Sequence, residues 1–243
     1  MNGKTSAALL IVLIAGICAG YFFSNIFPLS EKATAPVLAP AAESSATIFV
    51  PALDDNGNGV ALPLTVQKRA GNGEILIDIN SLVFWFDTQQ SIQTARDVAQ
   101  NLSGAGAGGI SLVYMIGANA TLVGGPSAGA ALAIATIAAL DNKTLNKSVM
   151  ITGTVNPDGT VGQVGGIPEK AKAAKTAGAI LFLAPSGQGT ETFLKPEEKC
   201  AETKGFAYCE TRYRRITIDI SETAGIQVKE VATIAEAEKY FFG

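Results

Sequence analysis

Residues Ala7 to Ser30 carry no charged side chain. Within them, AALLIVLIAGICAGYFFSNIF (Ala7 to Phe27) supplies the roughly 20 apolar residues that a bilayer-spanning helix needs. Tyr21, Phe22, Phe23 and Phe27 fall toward its far end, where aromatic rings favour the membrane interface. Such a run divides the chain into a membrane anchor over residues 1–28, a tether over 29–45 and one folded domain over 46–243. Lys4 precedes the run and Lys32 follows it, so the positive-inside bias favours a cytoplasmic N-terminus and an external remainder only weakly. A cleaved signal peptide is the rival, with Ala33-Thr34-Ala35 as its small-residue site. Pro36 suits that cleavage poorly, and the apolar run is longer than a signal core. Cys18 as a lipoprotein cysteine is disfavoured by the bulky Ile17 before it. The uncleaved anchor is therefore the favoured reading.

The tether, Glu31 to Ser45, is rich in Ala, Pro, Ser and Thr and reads as extended. Beyond it the chain can form a packed core, because hydrophobic residues make up 48% of the whole and charged ones only 16%. Strand-like runs at Ala61–Gln67, Glu74–Ile79, Ile110–Ile116, Val149–Val155 and Ala179–Ala184 alternate with helical spacing at Thr88–Leu102, Ser127–Leu140 and Ile167–Thr176. Short strands at Thr217–Ile220 and Gln227–Glu230 and a closing helix at Ile234–Tyr240 complete the pattern. Interspersed strands and helices make the class α/β (α+β), with mixed sheets and helices behind one transmembrane helix. A net charge of −3 offers no basic excess for a phosphate backbone, so nucleic acid is not an expected partner.

There is no histidine. A Ser-His-Asp triad and a Cys-His dyad are thereby excluded, and the commonest zinc ligand is missing. A lysine or a carboxylate must serve as base in any hydrolytic chemistry. No cofactor and no metal is expected. Cys200 and Cys209 are close enough in sequence to pair, which would imply an oxidising compartment; the alternative is two free thiols.

Two short motifs carry chemistry. In Gly124-Gly125-Pro126-Ser127-Ala128-Gly129 the glycines permit a tight turn into an apolar helix. Ser127 there is either a simple N-cap or a nucleophile whose alkoxide and oxyanion the helix N-terminus stabilises. In Gly165-Gly166-Ile167-Pro168-Glu169-Lys170, Pro168 suits a first helical turn. Lys170 follows among Ile167, Ala171, Ala173, Ala174 and Ala177, small or apolar neighbours that would lower its pKa by desolvation. A solvated surface lysine is the plain alternative.

Together these motifs resemble the proteolytic domain of the Lon proteases, which has a Gly-Pro-Ser-Ala-Gly motif and a lysine in Gly-Gly-x-x-x-Lys. Ser127 and Lys170 stand 43 positions apart (170 − 127), as in that family. Between them, Met150-Ile151-Thr152-Gly153-Thr154-Val155 resembles the family's Met-Thr-Gly strand, and Gly159 to Gly166 its hairpin into the lysine helix. Val123 and Gly124 stand where the family commonly has a Lys-Asp pair, and Pro126 where archaeal membrane forms often have an acidic residue.

The resemblance implies a serine endopeptidase acting on unfolded or extended polypeptides. Ser127 would be the nucleophile and Lys170 the base, with Thr152 holding the lysine in line. Backbone N–H groups of Gly125 and Ser127 would form the oxyanion hole. It also implies a homo-oligomeric ring. No Gly-x-x-x-x-Gly-Lys-Ser/Thr occurs in these residues, so ATP-independent action outside the cytoplasm is expected. The alternatives are a non-catalytic binding or assembly module and a protease subunit served by a separate ATPase.

The remaining features read more plainly. Asp54-Asp55-Asn56-Gly57-Asn58-Gly59 reads as a flexible turn rather than a calcium loop, and Asp87 and Glu74 as solvated carboxylates. Trp85 reads as core packing. Asn101, Asn119, Asn142 and Asn146 head glycosylation sequons that matter only outside the cytoplasm.

Overall fold

The structure, a computed structural model, describes residues 43–78, 83–84, 86–104, 109–117, 122–123, 125–203 and 205–242. All belong to the compact unit Pro40–Gly243. The expected anchor over 1–28 and Trp85 lie outside the described residues. Among the described residues no helix is long and apolar enough to cross a membrane.

One helix organises the domain. Gly129–Asp141 (α2, after Phe86–Ser103, α1) reads GAALAIATIAALD, with no charge before its final Asp141. A helix that is apolar on every side must be covered on every side, and Gly129 through Leu140 are all buried. The cover comes from α1, from β1 (Ser44–Leu53) and β2 (Gly59–Ala70), and from the closing helix.

Strands β1 and β2 form an antiparallel hairpin with Ala46 opposite Val66 and Ile48 opposite Leu64. Ala46, Ile48 and Val50 alternate with exposed residues, so one face of β1 joins the core. The first strand starts at Ser44, two residues inside the expected tether, because Ser44 Oγ donates to the Ala139 carbonyl near the end of α2. Strand β3 (Ile75–Asp78) runs parallel to β5 (Ile110–Ile116), giving a four-stranded sheet in the order β1-β2-β5-β3. The short pair β4 (Val83–Phe84) and β6 (Leu122–Val123) lies outside that sheet.

A parallel sheet in the order β13-β10-β7 forms a second layer. It comprises β7 (Val149–Ile151), β10 (Leu181–Pro185) and β13 (Gln227–Val231). The lysine-bearing helix α3 (Ile167–Thr176) packs on this sheet. Its Ile167, Ala171 and Ala174 cluster with Met150, Phe182 and Ala184.

Two sequence expectations need correction. The run Val149–Val155 is not one strand. It leaves the parallel sheet after Ile151 and restarts as β8 (Thr154–Val155), which pairs with β9 (Val161–Gly162) in a separate hairpin. Gly153, at φ 144, makes the break. Thr217–Ile220 is not a short strand either. It ends a 14-residue strand, β12 (Phe206–Asp219), paired throughout with β11 (Thr190–Thr203). Ile220 opens helix α4 (Ile220–Ala224), with the Asp219 carboxylate accepting from the Glu222 N–H. The last helix, α5, spans Ile234–Phe242.

The one hydroxyl inside α2 has its partners. Thr136 Oγ1 lies 2.7 Å from the Leu132 carbonyl and 3.0 Å from the Tyr114 hydroxyl. Burial pushes the Tyr114 phenol up to about 12.

Ile134 is fully buried at the middle of α2. Ile134→Ala is expected to cost about 2–5 kcal/mol in urea unfolding. A loss below about 1 kcal/mol would contradict the central place of this helix.

Candidate active site

The Gly-Gly-Pro-Ser-Ala-Gly segment does not lead straight into α2. Pro126–Ala128 form a single 3₁₀ turn, and α2 starts only at Gly129. Gly125 opens the turn at φ 95, a region that residues with a Cβ rarely adopt. Pro126 has the fixed φ suited to the first helical position.

The structure decides against Ser127 as an N-cap. Ala128 occupies the cap of α2, and neither helix start has a side-chain cap hydrogen bond. Ser127 is half-buried, and its Oγ has no hydrogen-bond partner among the described residues.

The Ser127 main chain is pinned firmly. Its carbonyl accepts from the Gly153 N–H at 3.0 Å and from Thr152 Oγ1 at 3.3 Å. One turn further on, the Ala130 N–H donates back to the Gly153 carbonyl at 3.0 Å. This bracket needs a glycine at 129, where a Cβ would stand 2.7 Å from the Val155 nitrogen. Gly125 and Ser127 lie at the opening of the turn, where backbone N–H groups precede the helix's own bonds; Pro126 between them has none.

Thr152 is fully buried at the end of β7, and its N–H donates to the Leu183 carbonyl of β10 at 3.1 Å. Its hydroxyl proton is spent on Ser127, which leaves the oxygen's lone pairs as acceptors.

Lys170 is 4% exposed. On the same helix Lys172 and Lys175 are exposed, so the surface-lysine reading holds for those two and fails for Lys170. Its ammonium has no ion-pair or hydrogen-bond partner among the described residues. Burial alone lowers its pKa from 10.5 to about 8. Lys170 and Ser127 are not hydrogen-bonded to each other. What they share is the end of β7. Met150 of that strand packs beneath α3, and Thr152, two residues on, holds the Ser127 carbonyl.

Two clefts border the 3₁₀ turn. One is apolar and runs between Ser127, Leu132 and the sheet residues Val50, Leu62, Leu64 and Ile116. The other passes Pro126 between Asp87, Thr94, Thr154 and Asn156. Sequence reasoning did not find the apolar cleft, because its lining joins the β1–β2 hairpin to the distant strand β5 and the turn before α2 and carries no local signal. Asp87 borders the second cleft, but its carboxylate accepts from the Thr88 N–H at the start of α1. Glu74 is elsewhere, with Ser111 Oγ at 3.4 Å. The Asp54 loop is a turn: one carboxylate oxygen accepts from the Asn56 and Asn58 N–H groups. Cys200 and Cys209 form a disulfide.

A buried lysine thus lies on the helix packed over the strand whose end holds the Ser127 carbonyl, and clefts border the turn that carries that serine. Residues 113–203 match the family model of the Lon protease (S16) C-terminal proteolytic domain. Similar proteins include the Lon protease of Phenylobacterium zucineum (strain HLK1), 41% identical over 81 residues, 33% of this chain and 10% of that protein. The Lon protease of Mycoplasma genitalium is 31% identical over 137 residues, 52% of this chain and 16% of that protein. That of Roseiflexus castenholzii is 39% identical over 74 residues, 30% of this chain and 9% of that protein. The chain thus spans a small part of the length of these relatives. Residues 113–203 are similar to a Lon-type proteolytic domain.

The lowered pKa of Lys170 has a consequence for stability. Between about 8 and 10.5 the unfolded chain holds the proton that the folded chain has released, so stability rises with pH across that window. Below about 8 the folded state carries the full cost of a buried charge. Lys170→Met is therefore expected to raise stability at pH 7, by roughly 1–3 kcal/mol, and to flatten the rise above pH 8. Unfolding by urea at several pH values checks both; a destabilised variant with an unchanged pH profile would refute the account.

Proposed function

We propose that this chain is a serine endopeptidase with Ser127 as nucleophile and Lys170 as general base. The observation that carries the reading is a buried lysine with no counter-ion, seated where its neutral form is accessible near pH 8.

Neutral Lys170 takes the Ser127 Oγ proton as that oxygen bonds to the peptide carbonyl carbon. The tetrahedral oxyanion is met by the Gly125 and Ser127 N–H groups. The C–N bond then breaks, the proton passes from Lys170 to the leaving amine, and an ester remains on Ser127. Water, deprotonated by Lys170, hydrolyses the ester. Thr152 fixes the Ser127 main chain and offers its lone pairs to the lysine amine, making it a positioning residue.

The two clefts bordering the turn, one at Ser127 and one at Pro126, suit an extended chain passing over it, which supports unfolded or extended polypeptides as substrates. We assign the cleavage no need for ATP, on the lack of a phosphate-binding motif in these residues. The charge-free run Ala7–Ser30 supports a membrane anchor, and the Cys200–Cys209 disulfide supports an oxidising, extracytoplasmic site for the domain. Similarity to the Lon proteolytic domain supports assembly into a homo-oligomer.

Ser127→Ala and Lys170→Met are each expected to lower the kcat for casein and fluorogenic peptides by about a thousandfold or more. Thr152→Val should cost about tenfold, mainly in kcat. The wild-type rate should rise with pH to half its plateau near pH 8, and ATP should leave it unchanged. Turnover retained by Lys170→Met would remove the lysine from the mechanism.

A further inference from the structure

Strands β11 and β12 form a two-stranded ribbon that no third strand joins among the described residues. Each has 14 residues, so the ribbon is about 45 Å long. Its side chains are exposed almost throughout, including Phe206, Tyr208 and Tyr213 at 80%, 60% and 68%. Five of the ten exposed large hydrophobic residues among the described ones lie on it: these three, Phe193 and Leu194. Exposed apolar groups beside free strand edges form a surface that natural proteins cover or block.

The register shows which edge is open. Thr203 pairs with Phe206 across a loop of two residues, which closes on a hydrogen-bonded pair. Counting from there, Cys200 and Cys209 form a non-hydrogen-bonded pair, in keeping with their Cα separation of 4.0 Å. So do Pro196 and Tyr213, four pairs further on. At such pairs the backbone N–H and C=O point away from the partner strand. Pro196 therefore leaves a missing donor in the middle of the outer edge of β11. The outer edge of β12 has no such gap, with free N–H groups at Ala207, Cys209, Thr211, Tyr213, Arg215 and Thr217.

We propose that the open edge of β12 docks on the same edge of a second copy of this chain, antiparallel and centred on Thr211. In this register Glu210 faces the second copy's Arg212, and Tyr208 its Arg214. Phe206 faces Ile216, on the same face of the sheet. Glu210 and Arg212 form an ion pair within each strand, and the central register sets the two pairs head to tail, whereas a step in either direction opposes Glu210 to Glu210 or Arg212 to Arg212. The product is a four-stranded sheet whose two outer edges both carry Pro196, which stops growth at a dimer.

The test uses the full chain in detergent, followed by sedimentation equilibrium. Wild type should be dimeric. Thr211→Pro removes two symmetric intermolecular hydrogen bonds and no bond inside the ribbon, and should raise the dissociation constant about a hundredfold. Glu198→Pro, at the same level on the blocked edge, should leave it unchanged. Glu210→Arg should weaken the dimer, and adding Arg212→Glu should restore it. A monomeric wild type, a dimer indifferent to Thr211→Pro, or equal loss with Glu198→Pro would each overturn the proposal. So would a monomer in which Thr211→Pro raises the KM for peptides, because the edge would then hold substrate.

Discussion

The burial of α2 is the constraint on which the domain depends. Twelve consecutive residues from Gly129 to Leu140 are buried. Such a helix offers solvent no polar face, so the β1–β2–β5 sheet, α1 and α5 must close round it before it is stable. Its N-terminal end is fixed as a result. The 3₁₀ turn with Ser127 has to emerge where the cover ends, against Thr152 and Gly153, and the two-way hydrogen bonding there locks it in place. Positioning of the serine is thus a by-product of core formation rather than of the loop sequence alone.

The lysine is held by the opposite means. No counter-ion among the described residues receives it, and the small side chains of α3 bring it under cover at a cost in stability when it is protonated. The proposed base requires a neutral amine, which a salt bridge would remove by holding the proton on. The absence of histidine sharpens the point, because no other side chain in the sequence titrates close to neutrality without being perturbed, apart from cysteine. Two of the three cysteines are in the disulfide.

Local sequence revealed the parts whose order is set locally. The Gly-Pro-Ser turn, the Ala-rich helix, the strands expected at Ile110–Ile116 and Ala179–Ala184 (observed at Leu181–Pro185) and the helix at Ile167–Thr176 were legible because period and punctuation agree there. The break of Val149–Val155 was not, since a β-rich run hides a change of sheet that only Gly153 marks. Ser127 taken alone read better as a cap. Its Oγ has no hydrogen-bond partner among the described residues because Ala128 occupies the cap, a fact of backbone geometry. The burial of Lys170 but not Lys172 was legible from its apolar neighbours. The apolar cleft was not, because Val50, Leu64 and Ile116 meet only through strand pairing.

The ribbon was invisible for a different reason. Its strands mix charges, threonines and aromatics without a one-faced alternation, because neither face meets the core. A hairpin of this kind is marginal alone. The disulfide compensates locally: closing the loop between Cys200 and Cys209 removes unfolded-state entropy worth about 2–3 kcal/mol, independent of any apolar burial. The domain therefore has two sources of order. The body is held by long-range burial that also builds the site. The ribbon is held by pairing and a covalent link, so its surface composition is free of core demands. Exposed aromatics and a proline confined to one edge are then constraints set by what the ribbon meets outside the domain, not by the fold that carries it.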